Sequence, residues 1–206
     1  MSQSSACWSL AYRMLLPLAL LAGVACTTAS VPGPVTDQRP EAADWTTVII
    51  VRHAERDPGA DPPLNAEGQA RAQALAAVLA DAGVEAIYCT DLIRNRDTAR
   101  PLANRLGLTP NVIGEDRYAD TPGVVAELLR EILTTHAGGT VLFIGNTGSS
   151  RFPQAPGVNQ ELFRRLGGAG AAPTRYQDLY VVHVPPTGKP RVVRATYGGR
   201  SSLDAS

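Results

Sequence analysis

The sequence predicts an α/β fold: a three-layer sandwich with a mostly parallel sheet and helices on both faces. Three observations predict it. Two short runs of β-branched and aliphatic residues, TTVIIV at 46–51 and TVLFIG at 140–145, read as strands buried on both sides. Segments with apolar residues at helical spacing lie around them. The two kinds of segment alternate without an internal repeat, the pattern of a covered parallel sheet. With 206 residues, 44% hydrophobic and 18% charged, the chain can bury a sizeable core. One folded domain over 45–200 is expected, with a short tail at 201–206.

After the first strand, a polar, proline-rich loop ends at Asn65, a side chain suited to capping a helix. A helix is expected over 66–82, with Ala72, Leu75, Ala76, Leu79 and Ala82 as its apolar stripe and Gly83 closing it. A second strand follows over 86–89, then a second helix over 95–106 with Pro101 inside it. Val124, Val125, Leu128, Leu129, Ile132 and Leu133 form the apolar face of a third helix, with Glu127, Arg130 and Glu131 outward. Gly138-Gly139 leads into the strand at 140–145. Residues 157–166 read as a further helix, and 179–184 with 191–196 as a late hairpin across a Pro/Gly turn.

The N-terminal residues do not read as fold. From Met1 to Ser30 the only charge is Arg13, which precedes the apolar run MLLPLALLAGVAC. One cation, a short apolar stretch and small residues at its end make a secretory signal over 1–26. The run is shorter than the ~20 residues that span a bilayer. Gly23-Val24-Ala25-Cys26 resembles a bacterial lipobox, which makes Cys26 the expected lipidation site; cleavage near Ala29 is the rival. Residues 27–44, rich in Pro, Thr, Ser and Ala, have the composition of a tether. The expected protein is exported, periplasmic or held at a bacterial membrane by its lipid, with membrane contact through that anchor alone.

Lys+Arg and Asp+Glu both number 19, for a net charge of +0. That balance argues against nucleic-acid and polybasic membrane binding. Three cysteines, Cys7, Cys26 and Cys89, are too few for a disulfide framework and fit no zinc spacing. Mature protein would keep Cys89, read as a small buried hydrophobe, and a lipidated Cys26, with no intrachain disulfide. Lys189 is the only lysine, so the cationic side chains are almost all planar guanidinium forks suited to phosphate.

In open α/β sheets, ligands sit beyond the carboxyl ends of the strands. That rule selects Arg52-His53, residues 90–94 and the segment after Gly145. A neutral imidazole can attack phosphorus, and an adjacent guanidinium can hold the phosphoryl oxygens. Glu55 and Arg56, next on the same loop, read as an exposed salt-bridging pair, with a place on the pocket rim as the alternative. His136 precedes the fourth strand and belongs at the opposite pole. His183, inside a late strand, reads as a packed or edge residue.

VRHAERD, DPPLNAEGQARAQALA and IYCTDLIRNRDTARPLA together closely resemble the histidine phosphatase superfamily, the phosphoglycerate-mutase-like fold, in its bacterial branch with a VRHAE motif. The resemblance implies that His53 is the nucleophile that becomes phosphohistidine. It also implies that Arg52 and Arg94 clamp the phosphate, with Thr90 and Thr98-Ala99 completing the second motif. The family's second catalytic histidine, usually in a G-H-S-N-T stretch after the fourth strand, is missing. Asn146 fills its slot if nothing is deleted; if two residues are lost, Asn146-Thr147 is the tail of the motif. The resemblance further implies a carboxylate general acid after the third strand, where Glu115, Asp116 and Asp120 stand; Asp120 is the choice. No metal or organic cofactor is needed for this chemistry.

The expected function is an exported phosphomonoesterase acting on a small phosphorylated substrate, slowed by the missing histidine. The alternative is a catalytically impaired envelope lipoprotein that binds a phosphorylated ligand or a partner. A phosphosugar or phosphoglycerate mutase is disfavoured by export and chain length. The sequence does not name the substrate or the oligomeric state.

Overall fold

The computed structural model describes residues 44–204. The signal at 1–26, Cys26 and all but the last residue of the tether lie outside the described residues. The elements run β1 (Thr46–Arg52), α1 (Ala66–Val78), β2 (Val84–Thr90), α2 (Ile93–Leu106), β3 (Asn111–Ile113), a 3-10 turn (Glu115–Asp120), α3 (Thr121–Thr135), β4 (Thr140–Gly145), α4 (Val158–Arg165), β5 (Asp178–Val184) and β6 (Arg191–Thr196). They build one six-stranded sheet in the order β3-β2-β4-β1-β5-β6. β1 and β2 both pair parallel to β4, and β3 pairs parallel to β2; β5 pairs antiparallel to β1, and β6 antiparallel to β5.

The strand runs are apolar throughout because each face meets its own helix layer. Val48, Ile50, Val141 and Phe143 share one core with Val125, Leu128 and Ile132 of α3 and Leu162 and Phe163 of α4. Ile49, Val51, Leu142 and Ile144 share the other with Leu75 and Leu79 from the α1 side and Ala99 and Leu102 of α2. Alternate residues of a strand point to opposite faces, so VIIV and LFI feed both layers. Each such buried aliphatic side chain contributes roughly 1.5–3 kcal/mol.

Asn65 caps α1, accepting the Gly68 amide on its side-chain oxygen at 2.9 Å. Gly107 ends α2 in the left-handed region at φ 68, a conformation that side chains with a Cβ resist.

Several expectations need correction. α1 stops at Val78, and the chain then turns towards Gly83 at φ 69. Leu79 still reaches the core, but Ala82 is exposed, because the last expected turn of helix unwinds before β2. Leu133 is also exposed, since only Val124, Val125, Leu128 and Ile132 of α3 face inward in full. Of the two readings of His183, packed or edge, the packed one holds: β5 lies between β1 and β6, and His183 Nδ1 is 3.0 Å from the Thr47 hydroxyl. β3 is implied by the resemblance alone, because three residues carry too little period to mark a strand. No described helix is long and apolar enough to cross a membrane.

Candidate active site

Arg52 ends β1, Thr90 ends β2 and Gly145 ends β4. These three strands are parallel neighbours, so their ends converge at one pole. The His53 amide donates to the Gly145 carbonyl at 3.1 Å, which sets His53 beside Asn146. Gly145 has no room for a side chain: a Cβ there would stand 2.2 Å from Asn159 Oδ1.

Two contacts fix the His53 loop. The Ala54 amide donates to the Thr98 hydroxyl at 2.9 Å, and that hydroxyl donates to the Arg94 carbonyl at 2.7 Å. Thr98 thus ties the helix carrying Arg94 to the backbone after His53. On the other side, Asn65 donates to the Glu55 carbonyl at 3.1 Å. The first turn of α1 presses so closely there that a Cβ on Gly68 would fall 2.0 Å from that carbonyl oxygen.

The reading of Glu55 as an exposed partner of Arg56 is overturned. Glu55 is fully buried and pairs with Arg71 of α1, at 2.7 and 2.8 Å from Nε. Arg71 then holds the Tyr197 and Gly199 carbonyls at 3.0 and 2.8 Å. A buried carboxylate needs such compensation, and here it clamps the His53 loop to the segment after β6. Arg56 turns away and donates Nη1 to the Asp57 and Gly59 carbonyls at 2.9 and 3.3 Å.

His53 is 3% exposed. Its Nδ1 is 2.8 Å from the Ala54 carbonyl. A carbonyl can only accept, so Nδ1 carries the proton and Nε2 keeps its lone pair. Burial, opposed by the Ala54 hydrogen bond and reinforced by Arg52, Arg94 and Arg56, pushes its pKa down to about 3. The ring is therefore neutral near pH 7. Tyr176 packs against it edge-on at 5.8 Å.

Arg52 lies over the Tyr176 ring at 4.0 Å. Its Nη atoms donate to the Thr174 carbonyl and the Tyr176 hydroxyl at 2.7 and 3.2 Å. Arg94 is 8% exposed and pairs with Asp61 at 3.3 Å. The Asp61 carboxylate also accepts the Ile93 amide at 3.0 Å, capping α2 where Leu92 offers no side-chain cap. Burial and then the Arg56 charge lower the Arg94 pKa, with Arg52 adding and Asp61 and Glu115 opposing.

Asn146 is buried and bonded: Nδ2 donates to the Thr90 hydroxyl at 3.2 Å, and Oδ1 accepts from Asn95 at 3.3 Å. Asn95 also donates to Thr90. Asn159 of α4 completes the floor, donating Nδ2 to the Val51 carbonyl at 3.1 Å and its amide to the Asn146 carbonyl at 3.4 Å. Asn146 retains one amide N–H beyond its bond to Thr90.

Asp120 is occupied as the N-cap of α3, accepting the Gly123 amide at 3.0 Å. Of the three candidate acids, Glu115 is the one whose charge acts on Arg94, after that of Asp61, and it stands 4.0 Å from Arg151. Tyr118 fixes the turn that carries Glu115. Its hydroxyl accepts the Asp91 amide at 3.1 Å and donates to the Ile113 carbonyl at 3.0 Å. Cys89 is fully buried, with its thiol pushed by burial up to about 11. His136 bonds Glu85 at 2.8 Å and Tyr88 at 3.2 Å, at the amino-terminal pole of the sheet. Among the described residues no cluster of three His, Cys, Asp or Glu could hold a metal ion.

The structure thus brings His53, Arg52, Arg94 and Asn146 to one pole. It adds Asn95, Asn159, Asp61 and Tyr176, which sequence reasoning did not single out as site residues, and it sets Glu115, one of the three candidate acids, 4.0 Å from Arg151. Asn95 sits beside Arg94, so its neighbourhood was visible; Asn159 and Tyr176 come from distant segments with no local signal.

The family model of the histidine phosphatase superfamily, branch 1, matches residues 48–120. Solved structures share the fold. A mycobacterial hydrolase superposes with a TM-score of 0.55 at 18% identity, covering 78% of this chain and 94% of its own. The tungstate complex of the protein histidine phosphatase SixA gives 0.52 at 19%, covering 73% and 96%. A mycobacterial glucosyl-3-phosphoglycerate phosphatase gives 0.51 at 19%, covering 75% and 100%. A PE-PGRS family protein of Mycobacterium tuberculosis is 51% identical over 53 residues, 25% of this chain. That match spans only 9% of the relative's length.

Proposed function

We propose that the chain is a member of the histidine phosphatase superfamily, whose model matches residues 48–120, and that it is a phosphatase acting through a phosphohistidine on His53. One observation carries the reading. His53 presents a neutral ring with Nδ1 held by the Ala54 carbonyl, beside two arginines whose buried Nε groups lack partners. Nε2 attacks phosphorus, the ester oxygen leaves, and water then cleaves the N–P bond to release orthophosphate. Arg52 and Arg94 neutralise charge on the equatorial oxygens of the group in transfer. Glu115 is the proton donor to the leaving oxygen, in place of Asp120, whose carboxylate caps a helix.

The second reading, a phospho-ligand-binding protein, is favoured by Asn146. A neutral amide can donate to a phosphoryl oxygen but offers no charge to the transition state. Turnover falls while ground-state binding by the two arginines survives. Assay of purified protein on an aryl phosphate beside His53→Ala separates the two. Turnover that needs His53 supports the enzyme; orthophosphate binding without turnover supports the binding protein.

Export and lipidation at Cys26 are part of the same proposal and rest on the composition of residues 1–26. Mass spectrometry of the native N-terminus tests them. A diacylglyceryl-modified Cys26 supports the anchor, cleavage near Ala29 supports a free exported protein, and retained Met1 contradicts export.

A further inference from the structure

Three arginines, not two, repeat one pattern at this pole. Arg52, Arg94 and Arg56 each commit Nη1 to an oxygen of the protein. Each leaves a buried Nε without a partner among the described residues. A buried donor left unmade is costly, so three together mark a place built for an anion. Two carboxylates, Asp61 and Glu115, act on Arg94 against the two other guanidiniums. Asp61 is already spent on the Ile93 amide and Arg94 itself.

The arginines are not equivalent in position. Arg52 flanks His53 directly in the chain and on Tyr176. Arg56 is carried by the loop that a single bridge closes from Arg56 to Leu64. The same loop delivers Asp61 to the first turn of α2, where Arg94 stands. Arg56 Nη1 donates to the Gly59 carbonyl at 3.3 Å, two residues before Asp61, whose carboxylate lies 3.3 Å from Arg94 Nη1. The loop thus carries Arg56 on the Arg94 side of the site.

We propose that Arg56 and Arg94 together bind a second phosphoryl group, so that the site takes the terminal phosphate of a diphosphate. The inference rests on the phosphatase reading above. His53 Nε2 forms the N–P bond to the terminal phosphorus while the bridging P–O bond breaks. The electron pair leaves on the inner phosphate, and water later releases the terminal group as orthophosphate. A phosphate leaving group, with its second ionisation near ~6, needs far less protonation than an alkoxide. This suits a site in which a neutral Asn146 occupies the slot after β4.

The test is calorimetric binding without turnover, in chelator-containing buffer, with orthophosphate and methylenediphosphonate as probes. The diphosphonate is expected to bind at least about tenfold tighter than orthophosphate, a single guanidinium contact being enough for such a factor. Arg56→Met should remove that preference, and Arg56→Lys should restore it in part. Arg151→Met, at an exposed arginine nearby, should keep it. Equal preference in Arg56→Met, or loss in Arg151→Met alone, overturns the inference. Orthophosphate binding with no gain for the diphosphonate overturns it and leaves the phosphatase reading standing. If neither probe binds, both fall. Thermal melting of each folded variant separates lost binding from lost structure.

Discussion

The two poles of the sheet use histidine in opposite ways. At the amino-terminal pole, His136 bonds Glu85 and Tyr88, and His183 bonds the Thr47 hydroxyl. At the carboxyl-terminal pole, His53 has a carbonyl on one nitrogen and three arginines around it. The first arrangement joins strands and helices. The second leaves like charges close together, with buried donors on Arg52, Arg56 and Arg94 and a buried acceptor on Asn95 unmet. Those unmet donors are the ones that a phosphate would engage in the proposed function.

The sharpest break in that comparison is His53→Ala, which should lower turnover on an aryl phosphate by about 10⁴-fold or more. His136→Gln, at the other pole, should leave it unchanged. Arg94→Ala is next, with a loss of about 10²–10³ in rate, partly recovered by lysine, which lacks the planar fork. Steady-state rates on the same substrate check both.

Glu55→Ala probes the clamp under the site. It strands the Arg71 charge in the interior and should cost roughly 3–5 kcal/mol, read by urea unfolding. A far smaller cost would mean that Arg71 is solvated where the structure buries it at 5% exposure.

Acidity distinguishes the histidine further. The His53 pKa is lowered in the folded state, from 6.5 to about 3, so the unfolded chain binds more protons between those values. The stability contribution is fully present above pH 6.5 and is lost as pH falls towards 3. His53→Gln should therefore lose less stability than the parent between pH 7 and pH 4 in thermal melts. Asn146→His should act on rate more than on binding, raising turnover by about tenfold while phosphate affinity changes little. The smallest effect is on stability in His136→Gln, within about 1 kcal/mol, because its hydrogen bond with Glu85 is partly exposed.

Much of the fold was legible because strand runs apolar on both faces and helical stripes leave strong periods. The strands at 46–51 and 140–145 and the cap at Asn65 needed only local pattern. Ala82 and Leu133 misled because an apolar residue at the right spacing need not meet a partner once the helix has ended or turned outward. The convergence of Arg52, His53 and Arg94 at one pole was readable from chain-local motifs. The pairing of Glu55 with Arg71 was not, since the two meet only when α1 folds back on the loop. Asn159 and Tyr176 reach the pole from α4 and the approach to β5, and nothing near them in sequence announces that contact. That Asp120 caps α3, which is why Glu115 is proposed in its place, was not readable, since the sequence does not distinguish a capping acid from its neighbours.

His53 as the phosphoryl acceptor is the proposal from which the other predictions follow. The direct measurement is to quench the protein in alkali during turnover of a labelled phosphodonor and map the label by peptide mass spectrometry. An acid-labile phosphate on His53, absent from His53→Ala and slower to form in Arg94→Ala, is the predicted result. Label on another residue, or turnover undiminished in His53→Ala, would contradict it.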